Sequence, residues 1–339
     1  MNDEQRTRLL AKLRRELGDT VTAALADPGV IEIMLNPDGT LWLDKFGEGM
    51  VPAGSMPQAQ AESLLATTAA MLETTVSYDR PVLEGELPLD GSRFEGIIAP
   101  VVSRPAFAIR KRASSVFSLE EYVKARILTT ADDPANRGAD HGDRFAESVA
   151  GQSHYQILKR AVLERKNILV VGSTGSGKTT FVNALLDAIA RDTPEHRIVL
   201  IEDTGEIQCN AKNFVQMRSA SHVPMVALLK ATMRMRPDRI IVGEVRGAEA
   251  LALLKAWNTG HPGGLATVHA NDAVAGLIRL EQLIQEANVP PQQQLIAEAV
   301  DLVVFITRDG SLPAGRKVKE IVLVEAYDAT AQEYTVRRI

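Results

Sequence analysis

Apolar positions follow two different periods along this chain, and the change of period divides it. From Gln5 to Leu25, Leu9, Leu10, Leu13, Leu17, Val21 and Leu25 recur at helical spacing, which predicts an amphipathic helix with Arg14 and Arg15 beside its buried stripe. Val30–Asn36 then reads as a strand, Pro37-Asp38-Gly39 as a turn, and Leu41-Trp42-Leu43 as the start of a return strand. Gln58 to Thr75 returns to the helical period, and short strands from Val82 to Arg112 are broken at Pro88, Asp90-Gly91 and Pro100. The first part of the chain, 1–125, is therefore expected to be a small N-terminal α/β domain with an antiparallel sheet. Across 126–152 the pattern fades into polar, turn-forming residues, which predicts a linker. From 153 to 339 the apolar runs Ile168–Val171, Ile198–Ile201, Ile240–Val242, Leu265–Val268 and Leu302–Ile306 alternate with helical stretches. That alternation predicts an α/β domain with a mostly parallel, helix-covered sheet. The late runs Ile321–Ala326 and Tyr334–Arg337 are expected to pair at its edge.

The first of those runs leads into Gly172-Ser173-Thr174-Gly175-Ser176-Gly177-Lys178-Thr179-Thr180, and a helical pattern follows it. Strand, glycine loop and helix in that order make a P-loop, with Gly172, Gly177, Lys178 and Thr179 in its fixed places. Glycines let backbone N–H groups turn in on phosphate oxygens, and the helix N-terminus adds partial positive charge. Lys178 suits the β- and γ-phosphates of ATP, and the Thr179 hydroxyl suits Mg²⁺. A glycine-rich turn with a chance lysine would rarely fill all four places in this context.

Three further constellations matter only because a P-loop precedes them. Ile198–Ile201 runs into Glu202, Asp203 and Glu206, and ligands of open α/β sheets bind at the carboxyl ends of strands. Glu202 and Asp203 are candidates to hold Mg²⁺, and Glu202 to position water. The run Arg239-Ile240-Ile241-Val242-Gly243-Glu244 resembles a Walker B strand in which glycine takes the place of the usual aspartate. Its Glu244 is a second candidate for activating water, and the choice between the two stays open. His269 ends the run Leu265–Val268 on the same edge, where it can contact a γ-phosphate or link it to Glu244. Arg93 and Arg110 in the first domain, and Arg234, Arg236 and Arg246 in the second, can neutralise phosphate charge. Surface solvation is the commoner role for an arginine.

Composition narrows the partners. Of 339 residues, 45% are hydrophobic, and the net charge of −5 speaks against a strong, non-specific grip on nucleic acid. One cysteine, Cys209, permits no intrachain disulfide and fits a reducing compartment. The polar, acidic start and the lack of an apolar run near ~18 residues predict a soluble cytoplasmic protein.

Taken in order, Gly172–Thr179, Ile201-Glu202-Asp203-Thr204-Gly205-Glu206, Arg236–Gly247 and Gly260–Ala270 resemble the Walker A, Asp, Walker B and His boxes of the type II/IV secretion traffic ATPases. The resemblance spans most of residues 80–310, and the Gly243-Glu244 ending is usual for that family. It implies a RecA-like P-loop NTPase domain in a homo-hexameric ring, each copy topped by a mobile N-terminal domain. It implies Mg²⁺-dependent ATP hydrolysis with Glu244, Glu202 and His269 in the site. It also implies a nucleotide held between the two domains, with N-terminal arginines matched by Arg93 and Arg110; Arg112 is a neighbouring alternative to the latter. Such a protein would dock on inner-membrane secretion-channel components and sit peripherally at the inner face of that membrane. A nucleic-acid motor and a nucleotide-dependent assembly switch are the competing readings.

Overall fold

Two sheets organise the chain in the computed structural model, which describes residues 2–112, 118–128 and 141–339. Helix α1 (Asp3–Ala26) opens with a capping box in which Asn2 and Gln5 satisfy each other's backbone N–H, and it kinks at Gly18. Strands β1 (Val30–Leu35), β2 (Thr40–Lys45) and β3 (Gly49–Ser55), helix α2 (Gln58–Met71), and strands β4 (Val82–Glu86), β5 (Arg93–Ile97) and β6 (Ala106–Arg110) follow. The six strands form one antiparallel sheet in the order β3-β2-β1-β6-β5-β4.

Both faces of this sheet are covered, which is why β1 and β6 read as nearly continuous apolar runs. Ile33, Leu35, Phe107 and Ile109 pack with α1 and α2 residues such as Leu13, Leu17, Leu64 and Leu65. The alternate positions Met34, Ala106 and Ala108 point the other way, into a core shared with the second sheet. Period-two alternation thus serves two different cores at once.

Helix α3 (Leu119–Lys124) and helix α4 (His141–Val149) come next. The stretch 126–152, expected to be a linker, therefore contains a helix. Phe145 and Val149 of α4, each 1% exposed, sit in the core of the second sheet. The turn-rich run at its centre, 129–140, lies outside the described residues. The remaining elements are α5 (His154–Leu163), β7 (Ile168–Val171), α6 (Lys178–Asp192), β8 (Ile198–Glu202), β9 (Phe214–Arg218), α7 (Met225–Thr232) and β10 (Arg239–Val242). After these come α8 (Glu249–Asn258), β11 (Leu265–Val268), α9 (Ala273–Gln285), α10 (Gln293–Ala299), β12 (Leu302–Arg308), β13 (Arg316–Asp328) and β14 (Glu333–Arg338).

The second sheet runs β14-β13-β12-β7-β11-β10-β8-β9. The six strands from β12 to β9 are parallel, and β13 and β14 pair antiparallel at one edge, as the late apolar runs led us to expect. Strand β9 is an addition to the sequence reading. Helices α5 and α6 cover one face, and α7 to α10 the other. No helix among the described residues is long and apolar enough to cross a membrane.

Polar side chains fix the seam between the sheets. Arg197, fully buried, donates from Nη1 to Asn36 Oδ1 and Asn213 Oδ1, both at 2.5 Å, and from Nε to Met235 O at 2.8 Å. Arg236 Nε donates to Asp44 Oδ2 at 2.8 Å. Arg234 pairs with Glu84 of β4.

Candidate functional site

Every residue of β7 is buried, so the strand delivers its next residues to a fixed point at the carboxyl edge of the sheet. The chain turns there through Gly175 (φ +70°) and Gly177 (φ +98°), left-handed conformations that favour glycine, and Gly177 caps α6. Inside the turn, the Ser176 hydroxyl is buried with no hydrogen-bond partner. A loop with its helix N-terminus open and an unspent hydroxyl fits an anion of phosphate geometry.

Lys178 links this loop to the acidic residues. Its Nζ donates to Gly172 O at 2.9 Å and Ser173 O at 3.2 Å, and lies 3.1 Å from His269 Nδ1. Lysine can only donate, so Nδ1 accepts and the His269 proton sits on Nε2. That nitrogen faces Glu244 Oε1 at 3.0 Å. Glu244 Oε2 accepts from Arg246 Nη2 at 2.8 Å, and Arg246 Nη1 reaches Asp203 Oδ2 at 3.3 Å. A continuous chain therefore runs Lys178–His269–Glu244–Arg246–Asp203. Burial alone would raise the Glu244 pKa. The hydrogen bond and charge of Arg246, with His269 and Lys178, outweigh it and hold the carboxyl below its usual range. Lys178 is lowered from the ordinary lysine value by burial, against the pull of Glu244.

Thr179, Glu202, Asp203, Glu206, Gly243, Glu244 and Arg246 are among the residues lining a cleft of about 60 Å³. The Thr179 hydroxyl lies 3.4 Å from Glu206 Oε2. An all-oxygen donor set of one hydroxyl and several carboxylates fits Mg²⁺. Among the described residues no three metal-binding side chains are already clustered. Magnesium needs no such cage, since it takes one or two protein ligands beside substrate phosphates.

Glu202 lines the same cleft, but its carboxylate oxygens are already engaged. It is 3% exposed, and its Oε2 accepts from the backbone N–H of Glu206 and Ile207 at 3.0 and 3.1 Å. Its Oε1 accepts from Gln216. The carboxylate is committed to holding the turn that presents Glu206 to Thr179. Ser173, Thr174 and Thr180 are exposed around the loop.

The first-domain arginines lie elsewhere. Arg93 and Arg110 are direct cross-strand partners on β5 and β6, and Arg110 sits 3.5 Å from buried Glu32. With Arg112 and Arg234 they line a cavity of about 670 Å³. A smaller one of about 210 Å³ adds Arg165, Asp238, Gly260 and His261. Those four precede β7, β10 and β11, so they mark the amino edge of the parallel strands, while the P-loop leaves the carboxyl edge. Within one chain the structure does not bring Arg93 and Arg110 to Lys178, contrary to the expectation of a nucleotide held between the two domains of one subunit. The sequence reading also missed Arg308, whose Nη2 donates to Thr174 O at 3.1 Å. Only the pairing of β12 with β7 reveals that position.

Fold and site together define a P-loop protein, a RecA-like α/β domain joined to a smaller antiparallel α/β domain. The chain belongs to the type II/IV secretion system protein family, whose model matches residues 146–325. The conjugal transfer protein TrbB of Rhizobium radiobacter is 47% identical over 320 residues, covering 94% of this chain and 91% of that protein. The type IV secretion system protein PtlH of Bordetella pertussis is 33% identical over 318 residues, covering 88% and 91%. Among solved structures, the VirB11 ATPase of the Brucella suis type IV secretion system, in complex with sulphate, superposes with a TM-score of 0.85. It is 26% identical and covers 94% of this chain and 96% of that one.

Proposed function

We propose that this chain is an ATPase of a type IV secretion or conjugal transfer machine, working as a homo-hexameric ring docked peripherally on inner-membrane channel components. Strong binding to nucleic acid is no part of this reading. The observation that carries it is the chain from Lys178 through His269 to Glu244, which ties the phosphate loop to the carboxylate of a Walker-B-like strand. Lys178 and the loop N–H groups bind the triphosphate. Glu244, kept ionised by Arg246, orients the attacking water, and His269 senses the terminal phosphate between them. Thr179, Asp203 and Glu206 would hold Mg²⁺, which supplies charge neutralisation on the phosphates. Glu202 positions the Glu206 turn.

In this reading the active site is completed between copies. Arg93 and Arg110 face away from their own P-loop, and a head-to-tail ring presents the amino-edge surface of one copy to the next. Loss of the terminal phosphate then loosens a contact between neighbours, and the N-terminal domain moves.

The test uses steady-state phosphate release. Lys178→Ala and Glu244→Gln should each lose about 10²-fold or more in turnover; wild-type rates would remove the reading. An Arg93→Ala/Arg110→Ala double variant should also be inactive. Mixed in equal amounts with Lys178→Ala, it should recover about a quarter of wild-type activity, because a quarter of neighbour contacts in a random ring carry both intact halves. A mixture as inactive as its parts would show that the arginines do not act across copies.

A further inference from the structure

Strand β12 runs parallel to β7 and outlasts it. Phe305 pairs with Val171, the last residue of β7, so Ile306, Thr307 and Arg308 continue alongside the P-loop. Strand β13 returns with Arg316 directly opposite Arg308. Paired positions on antiparallel strands place their side chains on one face, and like charges there are destabilising. Two guanidinium groups are nonetheless set side by side, against the loop that would take a triphosphate.

Each has a distinct place. Arg308 Nη2 donates to Thr174 O at 3.1 Å and Nε to Gly175 O at 3.4 Å. A loop whose N–H groups turn inward on an anion turns carbonyls outward, and Arg308 occupies those outward carbonyls. Arg316 lies over Gly177, the cap of α6; a Cβ at Gly177 would come within 2.5 Å of Arg316 Nη1 and 2.8 Å of its Cδ. Among the described residues the Arg316 side chain has no hydrogen-bond or ion-pair partner. It adds a full charge where the helix dipole is already positive, which costs stability unless an anion is present. Lys178 leans the other way, toward His269 and Glu244, on the side of the terminal phosphate.

We infer that Arg308 and Arg316 form an arginine wall of the nucleotide site, supplied by the same chain as the P-loop: Arg308 sets the loop, and Arg316 binds the diphosphate that stays behind after cleavage. This rests on the nucleotide reading above and deepens it. Arg93 and Arg110 would serve the departing phosphate of a neighbouring copy, whereas Arg316 serves the retained part in its own. A contact to the diphosphate is made equally in substrate and product, so its loss raises KM and leaves kcat almost unchanged.

The experiment titrates a fluorescent ADP into the full-length protein and follows ATP turnover in parallel, with Lys178→Ala as reference. Arg316→Ala should weaken ADP binding about tenfold, the worth of one charge-assisted hydrogen bond. KM for ATP should rise comparably at nearly constant kcat, and affinity should depend less steeply on salt. Arg316→Lys, which keeps the charge, should recover most of the loss. Arg308→Ala should also weaken ADP, and Arg308→Lys should recover it only in part, since a lysine lacks the planar guanidinium fork whose Nε and Nη2 meet the two carbonyls. If Arg316→Ala binds ADP within twofold of wild type while Lys178→Ala does not bind, the inference fails and the nucleotide reading stands. If wild type and Lys178→Ala bind ADP equally poorly, the nucleotide reading itself has failed.

Discussion

Glu95 carries a strong pH dependence into the seam between the two domains. It is 1% exposed, and neither carboxylate oxygen has a hydrogen-bond partner. Arg234 lies 3.6 Å away but is drawn to Glu84, which stands directly opposite Glu95 on β4. Burial, outweighing Arg234 and reinforced by Glu84, pushes the Glu95 carboxyl from 4.5 up to about 8. The folded protein therefore holds this proton in a range where the unfolded chain releases it. Stability from this group is complete below about pH 4.5 and is lost as pH rises through about 8. Glutamine at this position keeps the shape and cannot ionise. The difference in unfolding free energy between wild type and Glu95→Gln should shift by up to about 1.4 kcal/mol per pH unit inside the window, in favour of the variant as pH rises. Between pH 5.5 and 7.5 that is about 2–3 kcal/mol. Urea unfolding at the two pH values measures it, followed by tryptophan emission, since Trp42 and Trp257 both lie in the core that joins the sheets. Parallel stability profiles for the two proteins would refute the assignment of a buried, protonated carboxyl here.

Two other substitutions separate structural from chemical roles. Asn36→Ala strips a partner from fully buried Arg197, whose pKa burial has already lowered to about 10, and should cost about 2–4 kcal/mol in chemical denaturation; a loss below about 0.5 kcal/mol would contradict the proposed seam. Glu202→Gln replaces an acceptor of three N–H groups and should lower the thermal midpoint by several degrees while cutting turnover less than Glu244→Gln does. The reverse ranking would make Glu202 the residue that handles water.

What could be read in advance follows the burial of each strand. Strands β7, β8, β10, β11 and β12 are buried along most or all of their length and announce themselves as apolar runs. Strand β9, Phe214-Val215-Gln216-Met217-Arg218, lies at the sheet edge with only alternate residues buried, and its polar positions hid it. Helix α4 was hidden because its anchoring apolar residues, Phe145 and Val149, stand among polar neighbours in a turn-rich stretch. The P-loop, Glu244 and His269 were legible since each closes a buried strand at one sheet edge. Glu202 does so too, yet hydrogen bonds over a few residues turned its carboxylate inward, a choice no spacing reveals. Arg308 depends on β12 lying beside β7 across more than a hundred residues of sequence.

The orientation of the two domains was the least legible feature, and its determinants explain why. Asn36, Asp44, Glu84, Arg197, Asn213, Arg234 and Arg236 are residue types that usually face water. Here they meet across the seam, several of them buried. Apolar contacts such as those of Met34 and Ala108 would tolerate many dockings, because burial is non-directional. A buried guanidinium satisfied by two particular amides tolerates few, since any slip strands it without partners. The same contacts that fix the seam hold β5 and β6 at the amino edge of the parallel strands, and so hold Arg93 and Arg110 away from Lys178. In the proposed ring this geometry gives the two arginines the phosphate of another copy. A junction held by these contacts would, in that ring, pass movement at a neighbour's nucleotide on through the chain.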